Sequence, residues 1–205
     1  MYKGERFNSI THLLGVVLAC IGVSLLIANS INKGDVYKIT AFTIYGIILI
    51  GLYSVSTIYH SIQGPWKNFF RQMDYLSIYV MIAGTYTPFT LITLRGVWGW
   101  SLFAVIWTLA ILGIIQEIIL GKKTRRYSLI IYLLMGWLIT IALKPLIASI
   151  APAGIWWLVA GGLSYTIGVI FFVFDEKVRH FHGVWHLFVM GGSLFQFICL
   201  FFYVA

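Results

Sequence analysis

Four ionisable side chains fall inside or at the ends of long apolar runs in this sequence: His60, Asp74, His182 and His186. Such groups are costly in hydrocarbon, and their default reading is functional. His182 and His186 stand four residues apart, so on a helix they share one face and offer two imidazoles to one point, as the paired histidines of helical zinc sites do. Three imidazoles with a carboxylate make a ligand set that suits zinc, and the lack of a thiolate cluster argues against an iron–sulfur centre or a four-cysteine site. Three protein ligands with one open position is the catalytic rather than the structural arrangement. Asp74 is then either the fourth ligand or the group that holds and deprotonates the water; the second role is the one expected.

A weaker constellation lies beside the first. Glu5, Asn8 and His12 recur at helical spacing around the start of the first apolar run, and Ser56 sits one turn before His60 on the same face. Each has a plain alternative. Asn8 or Ser9 caps a helix, Glu5 complements its dipole, and Ser56 bonds back to its own backbone. The functional alternative is an outer shell that orients the ligating histidines or polarises a substrate carbonyl. Glu117 and Lys144 read as snorkelling span ends, and Asp175 and His180 as loop residues.

The elements that must position these groups follow from composition. The 205 residues are 60% apolar and only 10% charged, with mean hydropathy +0.94, whereas a water-soluble domain is usually about 45–50% apolar. Lipid is the solvent this chain is built for. Seven runs reach the roughly 20 residues needed to span: Ser9 to Ser30, Ile39 to Ile62, Met73 to Thr93, Trp98 to Leu120, Tyr127 to Ala148, Ile155 to Phe174 and Gly183 to Val204. They are continuously apolar, not alternating as in a barrel, so the expected fold is an all-α integral membrane protein, a single seven-transmembrane-helix domain over residues 1–205. The Gly84-Thr85-Tyr86-Thr87-Pro88 stretch predicts a kink in span three. Gly161, Gly162 and Gly168 allow close packing of span six. Trp66, Trp98, Trp100, Trp156 and Trp157 fall near the expected interfaces. Cys20 and Cys199 lie within spans and read as buried, unpaired thiols.

Basic residues set the orientation. Lys3, Arg6, Lys67, Arg71, Lys122, Lys123, Arg125, Arg126, Lys177 and Arg179 lie on one side, against Lys33, Lys38, Arg95 and Lys144 on the other. By the positive-inside rule the N-terminus is cytoplasmic, and an odd number of spans puts Ala205 outside. His60, Asp74, His182 and His186 then all fall at the cytoplasmic level. The net charge of +8 is a topology signal, scattered over short loops without a basic domain, and no nucleic-acid partner is expected. The expected partners are membrane lipids, and the expected location is a plasma membrane that the chain crosses several times.

The order Glu5-x-x-Asn8-x-x-x-His12, Ser56-x-x-x-His60, Asp74, Gly84-Thr85-Tyr86-Thr87-Pro88, Gly161-Gly162-x-x-Tyr165 and His182-x-x-x-His186 resembles the haemolysin III proteins, within the progestin and adipoQ receptor superfamily. The resemblance implies a bacterial cytoplasmic membrane as the location, seven helices with a cytoplasmic N-terminus and a zinc near the cytoplasmic face. It also implies His60, His182 and His186 as ligands and Asp74 as the water holder. The superfamily includes alkaline ceramidases, so the implied activity is zinc-dependent hydrolysis of a membrane lipid amide or ester, with Asp74 and Ser56 as catalytic groups and a role in lipid homeostasis. The alternative is a non-enzymatic sensor or homeostasis protein with a structural zinc. Cytolytic pore formation is suggested only by the family name. Gln196 departs from the pattern, standing where many bacterial members would carry another histidine.

Overall fold

A computed structural model describes residues 1, 4–120 and 125–205, with the side chains of Arg125 and Arg126 outside the description. The described residues contain no strand. Helix α1 runs Arg6–Asn32, α2 Val36–Ser61, α3 Lys67–Pro88, α4 Val97–Leu120 and α5 Arg125–Trp137. Then come α6 Leu143–Ser149, α7 Pro152–Val173 and α8 Phe181–Cys199. Seven segments are long and apolar enough to cross a membrane, α5 and α6 together supplying the fifth as Tyr127–Ser149. The protein is a multi-pass membrane protein, because helices alone close every backbone hydrogen bond within themselves.

The seven spans coincide with the seven apolar runs, and the differences have physical causes. Span three begins at Lys67, six residues before the apolar run does, because Arg71 and Gln72 continue the helix into the interface. Asp74 is therefore the eighth residue of the helix, two turns in. Span three is continued past Pro88 by a π-helical turn, Phe89–Thr93, the local widening that accommodates a proline lacking its N–H. Span five is broken where no break was expected: Leu138–Ala142 is 3-10 helical. Pro145 cannot hydrogen-bond back into the preceding turn. In addition the Tyr86 hydroxyl intrudes, donating to the Met135 carbonyl at 2.7 Å and accepting from the Ile139 amide at 2.8 Å.

Two sequence readings are corrected here. Glu117 does not snorkel. It is buried, and its carboxylate accepts a hydrogen bond from the Ser128 hydroxyl at 2.6 Å. Cys20 is exposed on the outside of the bundle, not buried, while Cys199 is buried; both are free thiols. Trp66, Trp98, Trp100 and Trp156 are exposed as an interfacial belt requires. Of the basic residues counted for orientation, Lys3, Lys122 and Lys123 lie outside the described residues.

Tyr45, Phe42, Leu26 and Leu200 are fully buried at the centre of the bundle, where α1, α2 and α8 meet. Glycine makes some of these approaches possible. A Cβ at Gly15 would stand 2.9 Å from the Tyr53 ring, and one at Gly183 would collide with Phe7 and crowd Asn8. The first turns of α1 and α8 can thus touch at the level of the histidines.

Candidate metal centre

His60 is the penultimate residue of α2, and His182 and His186 lie on the first two turns of α8. Their rings form a nearly equilateral triangle, with centroids 4.9 Å apart for His60–His182, 5.0 Å for His60–His186 and 4.7 Å for His182–His186. One ligand atom from each lies within 4.8 Å of the others. Ligands at tetrahedral corners, with zinc–nitrogen bonds of about 2.0–2.1 Å, stand about 3.3 Å apart, a difference that small ring rotations cover.

The outer partners decide which nitrogen faces inward. His60 Nδ1 donates to Glu5 Oε2 at 2.6 Å, and His182 Nδ1 donates to Asp175 Oδ2 at 2.6 Å. His186 Nδ1 donates to the Asn8 carbonyl at 3.1 Å, with the Thr11 hydroxyl also 3.1 Å away. Burial opposes ionisation of Glu5, but hydrogen bonds from His60 and Asn8 and the nearby charge of Lys67 outweigh it and hold the carboxyl below its usual range. Glu5 is therefore an ionised acceptor, which fixes the proton of His60 on Nδ1 and leaves Nε2 with a free lone pair. The Nε2 atoms of both His60 and His182 are buried without any hydrogen-bond partner. A bare imidazole nitrogen backed by a carboxylate is the donor arrangement of metal-ligating histidines, so these residues fit a zinc-like ion.

Several side chains named from the sequence come together here. Asn8 does not cap α1, whose N-cap is Glu5 with no side-chain cap bond. Asn8 Nδ2 donates instead to Glu5 Oε2 at 2.8 Å, and the Ser9 hydroxyl pairs with that of Ser61. Ser56 does not bond back to its backbone either; its hydroxyl is buried and unpartnered. Asp74 stands outside the histidine triad, its carboxylate beside Ser56 and in the electrostatic field of His60, His182 and Lys67. His12 stacks on His186 at 3.6 Å with ring planes 14° apart, and its two nitrogens have no hydrogen-bond partner.

Asp175 and Thr11 were not singled out by sequence reasoning. Asp175 was read as a loop residue, and so it is. His180, in the left-handed region at φ 69°, turns the chain so that this loop folds back onto His182. The available signal was its position, seven residues before a ligand at the same membrane level. Thr11 lies one turn beyond Asn8, on the face that meets α8.

Two cavities lie nearby, neither of them lined by His60, Asp74, His182 or His186. One of about 150 Å³ is lined by Arg71, Glu117, Ser128 and Glu176 among others, and an apolar one of about 130 Å³ lies between α3, α5, α7 and α8. Ile78, Tyr132 and Phe172 line both. The Phe172 ring lies 5.9 Å from that of His182.

The chain matches the Haemolysin-III related family over residues 1–197. It belongs to that family. It is 46% identical over 203 residues to a protein of Bacillus cereus called Hemolysin-3, covering 98% of this chain and 92% of the relative. It is 43% identical over 202 residues to the Hemolysin-3 homolog of Bacillus subtilis (strain 168), covering 98% and 94%. The human monocyte to macrophage differentiation factor is 30% identical over 205 residues, covering 96% of this chain and 83% of the relative. Membership and the seven apolar helices together make this a multi-pass bacterial membrane protein of the haemolysin III family, with a histidine cluster able to hold a metal ion.

Proposed function

We propose that this protein is a zinc-dependent hydrolase of an amide or ester bond in a membrane lipid, acting at the cytoplasmic face. The observation that carries the reading is the pair of carboxylate-backed histidines with bare Nε2 atoms, set with His186 beside a carboxylate, Asp74, that is not itself in the ligand triad. His60, His182 and His186 would hold the ion, which when bound supplies Lewis acidity toward a carbonyl and acidifies water. Asp74 takes a proton from the attacking water on its carboxylate and returns it to the leaving amine or alkoxide. Ser56, whose hydroxyl has no other partner, donates to oxygen as negative charge develops there. Glu5 and Asp175 hold the ligand rings and raise their basicity. The apolar cavity closed by Phe172 receives an acyl chain and keeps bulk water from the centre.

The test is turnover. Purified, metal-loaded protein is reconstituted and presented with a panel of amide and ester lipids, and release of fatty acid or sphingoid base is followed by mass spectrometry. Asp74→Asn is expected to keep the metal and the fold and to lose roughly 10²–10⁴-fold in rate. A wild type inert to every lipid, or an Asp74→Asn protein of equal rate, removes the hydrolase reading. A second reading, a sensor in which the metal is structural, draws on one observation: Glu5 and Asn8 join α1 to ligands on α2 and α8, so occupancy would lock three helices together.

A further inference from the structure

The three ligand rings are not held alike. His60 and His182 each rest a ring N–H on a carboxylate at 2.6 Å, Glu5 for the first and Asp175 for the second. His186 has only neutral partners at Nδ1, the Asn8 carbonyl and the Thr11 hydroxyl, both at 3.1 Å. An imidazole bound to a dication takes on part of its charge, and a carboxylate behind the ring steadies that charge and raises the basicity of the ligand. His186 must find the same support elsewhere.

His12 covers the face of that ring. The two centroids are 3.6 Å apart and the planes differ by 14°. The lone pairs of an imidazole lie in its own plane, so an ion in the plane of His186 stands off the plane of His12 by most of that separation, and His12 does not ligate the same ion. Its ring is 4% exposed, and neither nitrogen has a hydrogen-bond partner. A buried charge needs a partner, so the ring is neutral. What it presents to His186 is a π face, and the face of a neutral aromatic ring attracts positive charge.

The covering ring is itself clamped. Tyr53 of α2 meets His12 in a T-shaped contact, with centroids 5.1 Å apart and planes at 68°. It comes this close to α1 because Gly15, one turn on from His12, has no Cβ to meet the Tyr53 ring. The Tyr53 hydroxyl donates to that of Ser193 at 2.8 Å. Ser193 follows His186 by seven residues on α8, two turns along the same face. The series His186, His12, Tyr53 and Ser193 therefore begins and ends on one helix, and that helix fixes the spacing of its two ends.

We infer that His12 is a positioning residue of the metal centre, whose ring face holds the plane of His186 and stabilises the charge that His186 takes up with the ion, the part that Glu5 and Asp175 play for the other two ligands. The inference rests on His186 being a metal ligand and is independent of hydrolysis. The experiment measures the zinc dissociation constant of purified full-length protein by chelator competition. His12→Phe keeps an aromatic face and removes both nitrogens, whereas His12→Leu fills the space without a π system. His12→Phe should stay within about twofold of wild type, and His12→Leu should bind zinc about tenfold more weakly, the worth of a desolvated contact between a cation and a ring face. In cobalt-substituted protein the visible absorption bands should keep their positions in His12→Phe and shift in His12→Leu, where the His186 ring is free to turn. Tyr53→Leu, which removes the clamp and no ligand, should weaken zinc binding about threefold and serves as the test if His12→Leu does not fold. Wild-type affinity in His12→Leu, or in Tyr53→Leu where that variant stands in for it, would overturn the role of the ring face. Binding as weak in His12→Phe as in His12→Leu would overturn it equally, by assigning the effect to the nitrogens. A wild type without zinc affinity would instead remove the metal centre itself, and this role with it.

Discussion

Removing the carboxylate behind His182 tests the metal centre without touching a ligand. Asp175 is 8% exposed at its side chain and accepts from His182 Nδ1 at 2.6 Å, a short, charge-assisted hydrogen bond. Bonds to charged groups are worth about 1.5–3 kcal/mol, and each 1.4 kcal/mol is tenfold in affinity, so complete loss should cost roughly 10- to 150-fold. That agrees with the 10- to 100-fold typical of outer partners of metal ligands. Asparagine keeps an acceptor and loses the charge, which removes about half of the interaction. Asp175→Asn should therefore lower zinc affinity about tenfold and Asp175→Ala about a hundredfold. Glu5, at 24% exposed, is better screened, and Glu5→Ala should cost less than Asp175→Ala. The assay is chelator competition on the purified protein, reading the dissociation constant for zinc. Wild-type affinity in Asp175→Ala would refute the assignment of His182 as a ligand through Nε2.

Other expectations follow from the same geometry. Gly183→Ala pushes a methyl group into Phe7 and Asn8 and should weaken zinc binding in the same competition assay although no ligand changes; unchanged affinity would mean that the α1 contact does not position His186. Glu117→Ala strands the buried Ser128 hydroxyl and should destabilise the protein by about 1–3 kcal/mol, read as a lower melting temperature, with the double variant Glu117→Ala, Ser128→Ala recovering part of the loss. Reporter fusions should put the N-terminus in the cytoplasm and the C-terminus outside, and both ends on one side would contradict the orientation drawn from the basic residues.

Depth was legible in the sequence, and azimuth was not. The ends of the apolar runs fix how far each residue lies from the interface, which is why His60, His182 and His186 could be set at one level before any contact was known. Which face of a span looks inward is harder to read, because lipid and protein interior are both apolar and the amphipathic signal of a soluble helix fades. Glu117 was thus read as snorkelling when it turns inward to Ser128. Asp175 escaped because its approach to His182 depends on the left-handed turn at His180, a conformation rare outside glycine. The break in span five needed two causes, of which Pro145 was visible and the intrusion of Tyr86 from another helix was not. Asn8 shows a third limit: a residue type favoured as a cap was used instead to hold a carboxylate and, through its own carbonyl, a histidine.

The groups at the centre are contributed by residues from Glu5 on the threshold of α1 to His186 in α8, so the centre spans nearly the whole order of synthesis. While the chain is being threaded into the bilayer, α1 and α2 can already bring Glu5 to His60, but that pair offers a single nitrogen to an ion. The remaining two ligands emerge together with the last helix. Ion capture would therefore be a late event in biogenesis, and a chain that stalls or is cut before α8 could assemble most of its helices yet would gain none of the binding energy of an ion. The metal would act as a stamp on finished molecules, giving a quality-control protease a thermodynamic difference between complete and incomplete chains.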